Sequence, residues 1–81
     1  MPEAIVLVNT DIGSEEEVLN KISNIEGVTE VYVVYGVYDL VVKVSASTTE
    51  ELKDIISSKI RKLPNVRSTL TMIVVEGKVR K

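Results

Sequence analysis

The chain has 81 residues and a formal net charge of −2, and 44% of its residues are apolar and 27% are charged. This length gives room for a single domain, 1–81, and the composition is typical of a globular protein rather than a disordered one. The sequence contains no Cys and no His. These absences exclude disulfide scaffolds, zinc sites built from Cys or His, and catalysis by a Cys–His or Ser–His pair.

A chain of this size buries only roughly 60–65% of its extended surface on folding, so we look for further burial against a partner. Its longest uncharged apolar stretch, Val31–Val37, is too short to cross a bilayer, and no basic-then-apolar signal opens the sequence. We therefore expect a cytoplasmic protein without membrane contact.

The first part of the chain predicts a strand followed by a helix. Ala4–Val8 is rich in Ile and Val and is followed by turn-forming residues, which is typical of a strand. Ser14 and Glu17 have the spacing of a capping box, which predicts that a helix begins there. Apolar residues recur at helical spacing up to Gly27, which is expected to end the helix in a left-handed conformation.

The rest of the chain predicts two more strands, a second helix and a final strand. Val and Tyr are dense after Gly27, and a second capping box is formed by Thr48 and Glu51 ahead of an apolar helical stripe. The predicted elements are strands Val28–Tyr35, Leu40–Ser45 and Val66–Val75, a turn at Gly36–Asp39 between the first two, and a helix from Thr48 that ends before Pro64.

The element order is therefore βαββαβ, and its two βαβ units combine most simply as a ferredoxin-like α+β fold. In that fold, two helices cover one face of a four-stranded antiparallel sheet. The strands are nonetheless apolar on both faces, so we expect the uncovered face to pack on a second copy in a dimeric α+β barrel-like association. The alternative is that Val-rich edges stay partly exposed. The expected interface residues are Tyr32, Val34, Val41 and Ile73.

Several motifs together resemble the RAM (regulation of amino-acid metabolism) domain of the Lrp/AsnC family. They are the Gly-x-x-Asp turn at Gly36 and Asp39, the Leu63–Val66 sequence, and the Ser68–Val74 strand. The resemblance covers about residues 4–76. It implies dimers that assemble into octamers or decamers and bind amino acids between dimers. Full-length members carry a helix-turn-helix DNA-binding domain ahead of this one, so the chain resembles a stand-alone RAM protein without a DNA-binding domain.

The resemblance also implies where the effector binds. The turn Gly36-Val37-Tyr38-Asp39 would lie against the effector, with Asp39 pairing with its ammonium group. Gly36 is alternatively a turn residue that needs an unusual backbone angle, Asp39 a turn cap, and Tyr38 a cover for the turn. On the last strand, Thr69, Thr71 and Met72 are the residues expected to contact the effector. The alternative is that Thr is an ordinary strand residue and Met an ordinary core residue.

Other side chains favour structural roles. Burial is the expected role of both Tyr32 and Tyr35, and Lys43 is expected to act as a charge that opposes aggregation or as an interface ion-pair partner. The sequence offers no catalytic residues, no metal site and no phosphate loop, so we expect neither an enzyme nor a cofactor.

The function expected from these features is an oligomeric, amino-acid-binding regulatory module that modulates Lrp/AsnC-type transcription regulators. Its partners would be other copies of itself and a full-length regulator, without direct contact to nucleic acid, because the basic residues are scattered. Two alternatives are an adaptor oligomer that does not bind a ligand and a small dimeric α+β barrel enzyme.

Overall fold

The computed structural model describes residues 1–80. Its four strands form one antiparallel sheet in the order β2-β3-β1-β4, with both helices packed on one face, so the predicted ferredoxin-like fold is confirmed. The elements are β1 (Glu3–Thr10), α1 (Glu15–Ser23), β2 (Val28–Val33), β3 (Leu40–Ser45), α2 (Thr49–Asp54), which continues as a π-helical segment (Ile55–Ile60), and β4 (Val66–Ile73).

The hydrophobic core lies between the helices and the helix-facing side of β1 and β3. Along both strands every second residue is buried, which is the period expected when one face of a sheet is covered. The helices contribute apolar residues at helical spacing. The predicted apolar stripe of the second helix is confirmed, because four of its residues are buried and Leu63 is half-buried; the four are Leu52, Ile55, Ile56 and Ile60. The core residues are Ala4, Val6, Val8, Val18, Ile22, Leu40, Val42, Val44, Ala46, Leu52, Ile55, Ile56 and Ile60.

The two predicted capping boxes have different outcomes. The Oγ1 atom of Thr48 accepts a hydrogen bond from the backbone N–H of Glu51 at 3.1 Å, as predicted. Ser14 makes no side-chain cap, so the first capping box is wrong. The reason is that Glu15 accepts from the N–H of Gly13 at 3.0 Å instead, while Glu17 pairs with Lys21 along the helix.

The two glycines expected to need unusual backbone angles also differ. Gly27 has φ +102°, as predicted, but α1 already ends at Ser23 with Asn24 as its C-cap, so the prediction that Gly27 ends the helix is wrong. A Cβ there would lie 2.7 Å from Cδ1 of Ile55 and 3.1 Å from the carbonyl oxygen of Ser45, so glycine is needed for space as well. Gly36 does not have a positive φ, and a Cβ there would meet no atom within 4 Å, so the predicted backbone requirement at Gly36 is wrong.

The strand ends depart from the sequence prediction by about two residues. β2 ends at Val33. The N–H of the next residue, Val34, donates a hydrogen bond of 2.9 Å to the carbonyl of Asp39, and this bond closes the β2–β3 connection. Tyr35 therefore lies beyond the strand and is fully exposed, and Tyr32 within β2 is about half exposed, so burial within the chain is wrong for both tyrosines. β4 ends at Ile73 rather than at Val75 because β1, its only neighbour in the sheet, begins at Glu3. No helix within residues 1–80 is long and apolar enough to cross a membrane.

Candidate functional site

The sheet face away from the helices, here called the open face, carries an apolar patch. Residues paired across antiparallel strands share a face, so the register that places Leu7 opposite Val41 and Leu70 puts all three on this side. Met72 and Tyr32 extend the patch along β4 and β2, and both are exposed in the single chain. The open face is therefore an uncovered apolar surface.

One end of the open face is charged. Lys43 lies on it, with its Nζ atom 3.7 Å from an Oε2 of Glu30 and 4.0 Å from that of Glu3. The hydroxyl of Tyr32 donates to Oε1 of Glu30 at 2.5 Å. This hydrogen bond to a carboxylate, followed by the charge of Glu30, raises the pKa of Tyr32 above its usual value.

The opposite end of the sheet carries a polar depression of about 500 Å³. It forms where β1 ends, β3 begins and β4 begins, because these three strands are adjacent in the sheet. We call it the sheet-end depression. It is lined by Asn9, Thr10, Ile12, Asp39, Arg67 and Ser68.

Asp39 is the best-anchored charged group of the sheet-end depression. Its Oδ2 atom accepts a hydrogen bond from the backbone N–H of Thr10 at 2.9 Å and from the Thr10 hydroxyl at 3.3 Å. Its own N–H donates to the carbonyl of Val8 at 3.0 Å. These bonds hold the carboxylate at the start of β3 and join it to the end of β1, whereas the expected alternative was a cap within its own turn.

The sheet-end depression also contains a positively charged side chain, that of Arg67. The Nε atom of Arg67 is 3.8 Å from Oδ1 of Asp11, and both side chains are largely exposed, so this pair is weak and free to rearrange. Beside it, the amide of Asn9 donates to the hydroxyl of Ser68 at 3.4 Å. The sheet-end depression thus offers a carboxylate, a guanidinium, an amide and hydroxyl groups within one concave surface.

The structure brings only part of the predicted effector site together. Asp39 lines the sheet-end depression, and Thr69 lines an adjoining one of about 290 Å³ that shares Arg67 and Ser68 with it. Thr71 and Met72 lie farther along β4 and on opposite faces, since Thr71 pairs with Val6 and Met72 with Ile5.

The turn residues and the predicted interface residues are also spread out. In the β2–β3 connection, Gly36 and Val37 are exposed and Tyr38 is half-buried, and none of the three lines the sheet-end depression. Of the four expected interface residues, Tyr32 and Val41 lie on the open face. Val34 follows the end of β2, and Ile73 lies on the helix-facing side, opposite Ala4.

Four residues that line the sheet-end depression were missed from the sequence. Asn9, Thr10 and Arg67 are the polar ones and were treated as turn or scattered charged residues, yet all three line the sheet-end depression with Asp39, as does the turn residue Ile12. The signal available was the antiparallel pairing of the first and last strands in this fold, which brings the end of β1 beside the start of β4. Within the described residues, no cluster of three or more His, Cys, Asp or Glu side chains could hold a metal ion.

Comparison with known proteins identifies relatives over almost the whole chain. The family model described as the Lrp/AsnC ligand binding domain matches residues 3–81. The chain is similar to an HTH-type transcriptional regulator of Pyrococcus horikoshii, at 40% identity over 73 residues that make up 86% of this chain and 49% of that protein. It is also similar to a homocitrate synthase of Saccharolobus islandicus, at 43% identity over 75 residues, or 91% of this chain and 16% of that protein.

The chain spans about half the length of the HTH-type regulators it matches. Solved structures include relatives of the same size. A hypothetical protein from Pyrococcus horikoshii superposes with a TM-score of 0.88 at 44% identity, covering 95% of this chain and 93% of that one. A feast or famine regulatory protein from M. tuberculosis, complexed with L-methionine, superposes with a TM-score of 0.81 at 25% identity, covering 99% of this chain and 54% of that one.

Proposed function

Because the chain belongs to the Lrp/AsnC ligand-binding domain family, we propose that it binds a free amino acid at the sheet-end depression and serves as a regulatory module rather than an enzyme. The observation that carries this proposal is that a carboxylate, Asp39, and a guanidinium, Arg67, both line one depression. The related regulatory protein complexed with L-methionine supports the class of ligand.

The chemistry of the sheet-end depression suits a zwitterion. A carboxylate pairs with an ammonium group and a guanidinium pairs with a carboxylate, and both contacts are charge-assisted hydrogen bonds, which are about twice as strong as neutral ones. Asp39 is held in place by Thr10, whereas Arg67 has only a weak exposed partner to give up. The amide of Asn9 and the hydroxyl of Ser68 add neutral donors and acceptors.

The depression is open in the single chain, because its lining residues Ile12 and Arg67 are exposed. We propose that chains pair through the open face and that dimers assemble further, to eight or ten chains, so that a neighbouring dimer closes the bound ligand from water. A ligand at such a contact favours the assembly state that it binds more tightly, which couples ligand concentration to assembly by population shift.

The proposed target is a full-length transcription regulator of the same family, which would co-assemble with this chain through matching surfaces. The similarity to HTH-type regulators over 73 residues supports this partner. The similarity to part of homocitrate synthases supports a second candidate, in which the domain controls a biosynthetic enzyme instead. Mixing the chain with each protein and measuring complex formation by sedimentation distinguishes the two candidates.

Calorimetric titration with the twenty amino acids tests the binding proposal. For the amino acid that binds, its N-acetyl derivative lacks the ammonium group and its primary amide lacks the carboxylate, so both are expected to lose binding. Asp39→Asn is expected to abolish binding of the parent amino acid, and Arg67→Gln to weaken it. Arg61→Gln, which removes a neighbouring exposed guanidinium outside the sheet-end depression, is the matched control and should bind normally. Equal affinity for the parent and both derivatives would contradict the proposed recognition of a zwitterion.

A further inference from the structure

Positive charge is concentrated where the second helix ends and β4 begins. From residue 55 to residue 75 the sequence contains no Asp and no Glu, although the whole chain has a net charge of −2. The basic residues of this stretch are Lys59, Arg61, Lys62 and Arg67. Cations at the C-terminal end of a helix offset its dipole, which accounts for the first three but not for Arg67 on β4. The electrostatic field of this surface attracts anions.

Two of these cations line a depression at the edge of the sheet. It has a volume of about 290 Å³, adjoins the sheet-end depression, and is here called the edge depression. None of its described lining residues is a carboxylate, whereas Asp39 lines the sheet-end depression. The lining residues are Arg61, Val66, Arg67, Ser68 and Thr69.

The strand that forms the edge depression also directs a backbone donor into solvent. Among residues 1–80, β4 pairs with β1 alone, and the N–H of Val74 donates to the carbonyl of Glu3 on β1 at 2.9 Å. Successive N–H groups of a strand point to opposite sides, so the N–H of Thr69 points to the free edge. Thr69 lies opposite the buried Val8, so its side chain is on the helix-facing side, where Arg61 follows the second helix.

We propose that the edge depression binds a phosphoryl group, carried by inorganic phosphate or by a small phosphorylated metabolite. Two guanidinium groups match the charge of a phosphate dianion, and the hydroxyls of Ser68 and Thr69 supply further donors to its oxygens. A carboxylate carries a single charge and is satisfied by one guanidinium. The volume is at the lower end of the range for small-molecule sites, which begins at about 300 Å³, so it suits a phosphoryl group with a small organic moiety.

Both arginines are available to an anion. Arg61 is exposed and forms no ion pair within residues 1–80. Arg67 pairs with Asp11 at 3.8 Å, and an exposed pair of this kind is weak. Asp11 does not line the edge depression, so turning Arg67 toward the phosphoryl group moves it away from this carboxylate.

Arg67 also lines the sheet-end depression, and it therefore links the phosphoryl group to the amino-acid site; this step rests on the proposed function. One guanidinium cannot pair fully with the carboxylate of an amino acid and with a phosphoryl group at once. Each ligand therefore lowers the affinity for the other, by the same factor. Arg61 lines only the edge depression and Asp39 only the sheet-end depression, so substitutions separate the two sites.

Calorimetric titration with sodium phosphate, at constant ionic strength and without any amino acid, tests the phosphoryl site. We expect the wild-type chain to bind phosphate, and Arg61→Gln and Arg67→Gln each to weaken binding at least about tenfold, because each removes a charge-assisted hydrogen bond. Lys62→Gln, which removes a neighbouring exposed charge outside the edge depression, is the matched control and should retain binding. A wild-type chain that binds no phosphate, or equal weakening in Lys62→Gln and Arg61→Gln, would overturn the proposal.

Two further probes identify the source of the phosphoryl group. Glycerol phosphate that binds more tightly than inorganic phosphate would support a phosphorylated metabolite, and equal affinity would support free phosphate. A short DNA duplex that binds more tightly than both, and that Lys62→Gln weakens as much as Arg61→Gln does, would overturn the proposal in favour of an extended nucleic-acid surface.

The coupling is tested with the amino acid that binds at the sheet-end depression. Saturating phosphate at constant ionic strength should weaken its binding several-fold in the wild-type chain but not in Arg61→Gln, and Asp39→Asn should lose the amino acid while still binding phosphate. An amino-acid affinity that phosphate leaves unchanged would overturn the coupling. If no amino acid binds, the phosphate affinities of the wild-type chain and its arginine variants still decide the phosphoryl site, so the two proposals fail separately.

Discussion

Replacing Asp39 separates its structural role from its proposed role in binding. Asp39 accepts two hydrogen bonds from Thr10, which is only 5% exposed, so Asp39→Ala leaves a buried N–H and a hydroxyl without their partner. Hydrogen bonds to a charged group are worth about 1.5–3 kcal/mol, and we expect the free energy of unfolding to fall by that amount. Asp39→Asn keeps an acceptor oxygen for Thr10 and should cost less than about 1 kcal/mol, yet it removes the negative charge that the ammonium group needs.

Thermal unfolding at a fixed protein concentration, followed by calorimetric titration, measures both effects. In a domain of this size each kcal/mol lowers the melting temperature by about 4–8 °C, so the Ala variant is readily distinguished from the Asn variant. We expect the Asp39→Asn variant to bind no amino acid and to remain close to the wild-type protein in its free energy of unfolding. Asp54→Ala, an exposed carboxylate on the second helix, is the control and should retain binding. Wild-type affinity in Asp39→Asn would refute the assigned ion pair, and an unchanged melting temperature in Asp39→Ala would refute the structural role.

Three further predictions concern the backbone, the charged end of the open face, and assembly. Gly27→Ala should lower the free energy of unfolding by at least about 2 kcal/mol, measured by urea denaturation, because of its positive φ and the close approach of a Cβ to Ile55. The hydrogen bond from Tyr32 to Glu30 raises the pKa of Tyr32 and stabilises the folded state at pH values below the usual pKa of a phenol. This contribution to the free energy of unfolding should be lost as the pH rises through the raised pKa. Glu30→Gln should shift the ultraviolet titration of Tyr32 to lower pH. Leu70→Asp should prevent pairing through the open face, measured by sedimentation.

Each of these predictions has a matched control. Gly36→Ala, at an open position without a positive φ, should change stability by no more than about 0.5 kcal/mol, and an equal loss at both glycines would contradict the steric reason. Glu26→Gln removes a carboxylate that does not contact Tyr32, so the pH at which Tyr32 titrates should not change. Asn20→Asp adds a charge on the exposed side of α1, so a dimer lost in this variant as well would show that charge alone is responsible.

The fold was predictable because its signals are local. The order of strands and helices, the cap at Thr48 and the positive φ of Gly27 depend on residues near one another in the chain, and these features appear as predicted. The cap at Ser14 was not predictable in this way, because Glu15 competes for the same turn. The exposure of Tyr35 likewise depends on where β2 stops pairing with β3, and strand ends are set by neighbours rather than by propensity.

The candidate site was only partly predictable, because it is assembled from distant parts of the chain. Asp39 could be selected from its turn motif alone. Arg67 and Asn9 join it only through the pairing of β1 with β4, so their side chains carry no local signal of a shared site. Thr71 and Met72 were chosen from the family resemblance. They lie on opposite faces of β4, because successive side chains of a strand point to opposite sides of the sheet.

Native mass spectrometry of the purified chain, alone and with each of the twenty amino acids, tests the central claim most directly. We predict an even-numbered assembly that retains a particular amino acid at up to one molecule per chain, with the retained ligand lost in Asp39→Asn while the folded protein persists. An assembly that retains none of the twenty, or that retains the same amino acid without the charge of Asp39, would contradict the account of the sheet-end depression as an amino-acid site.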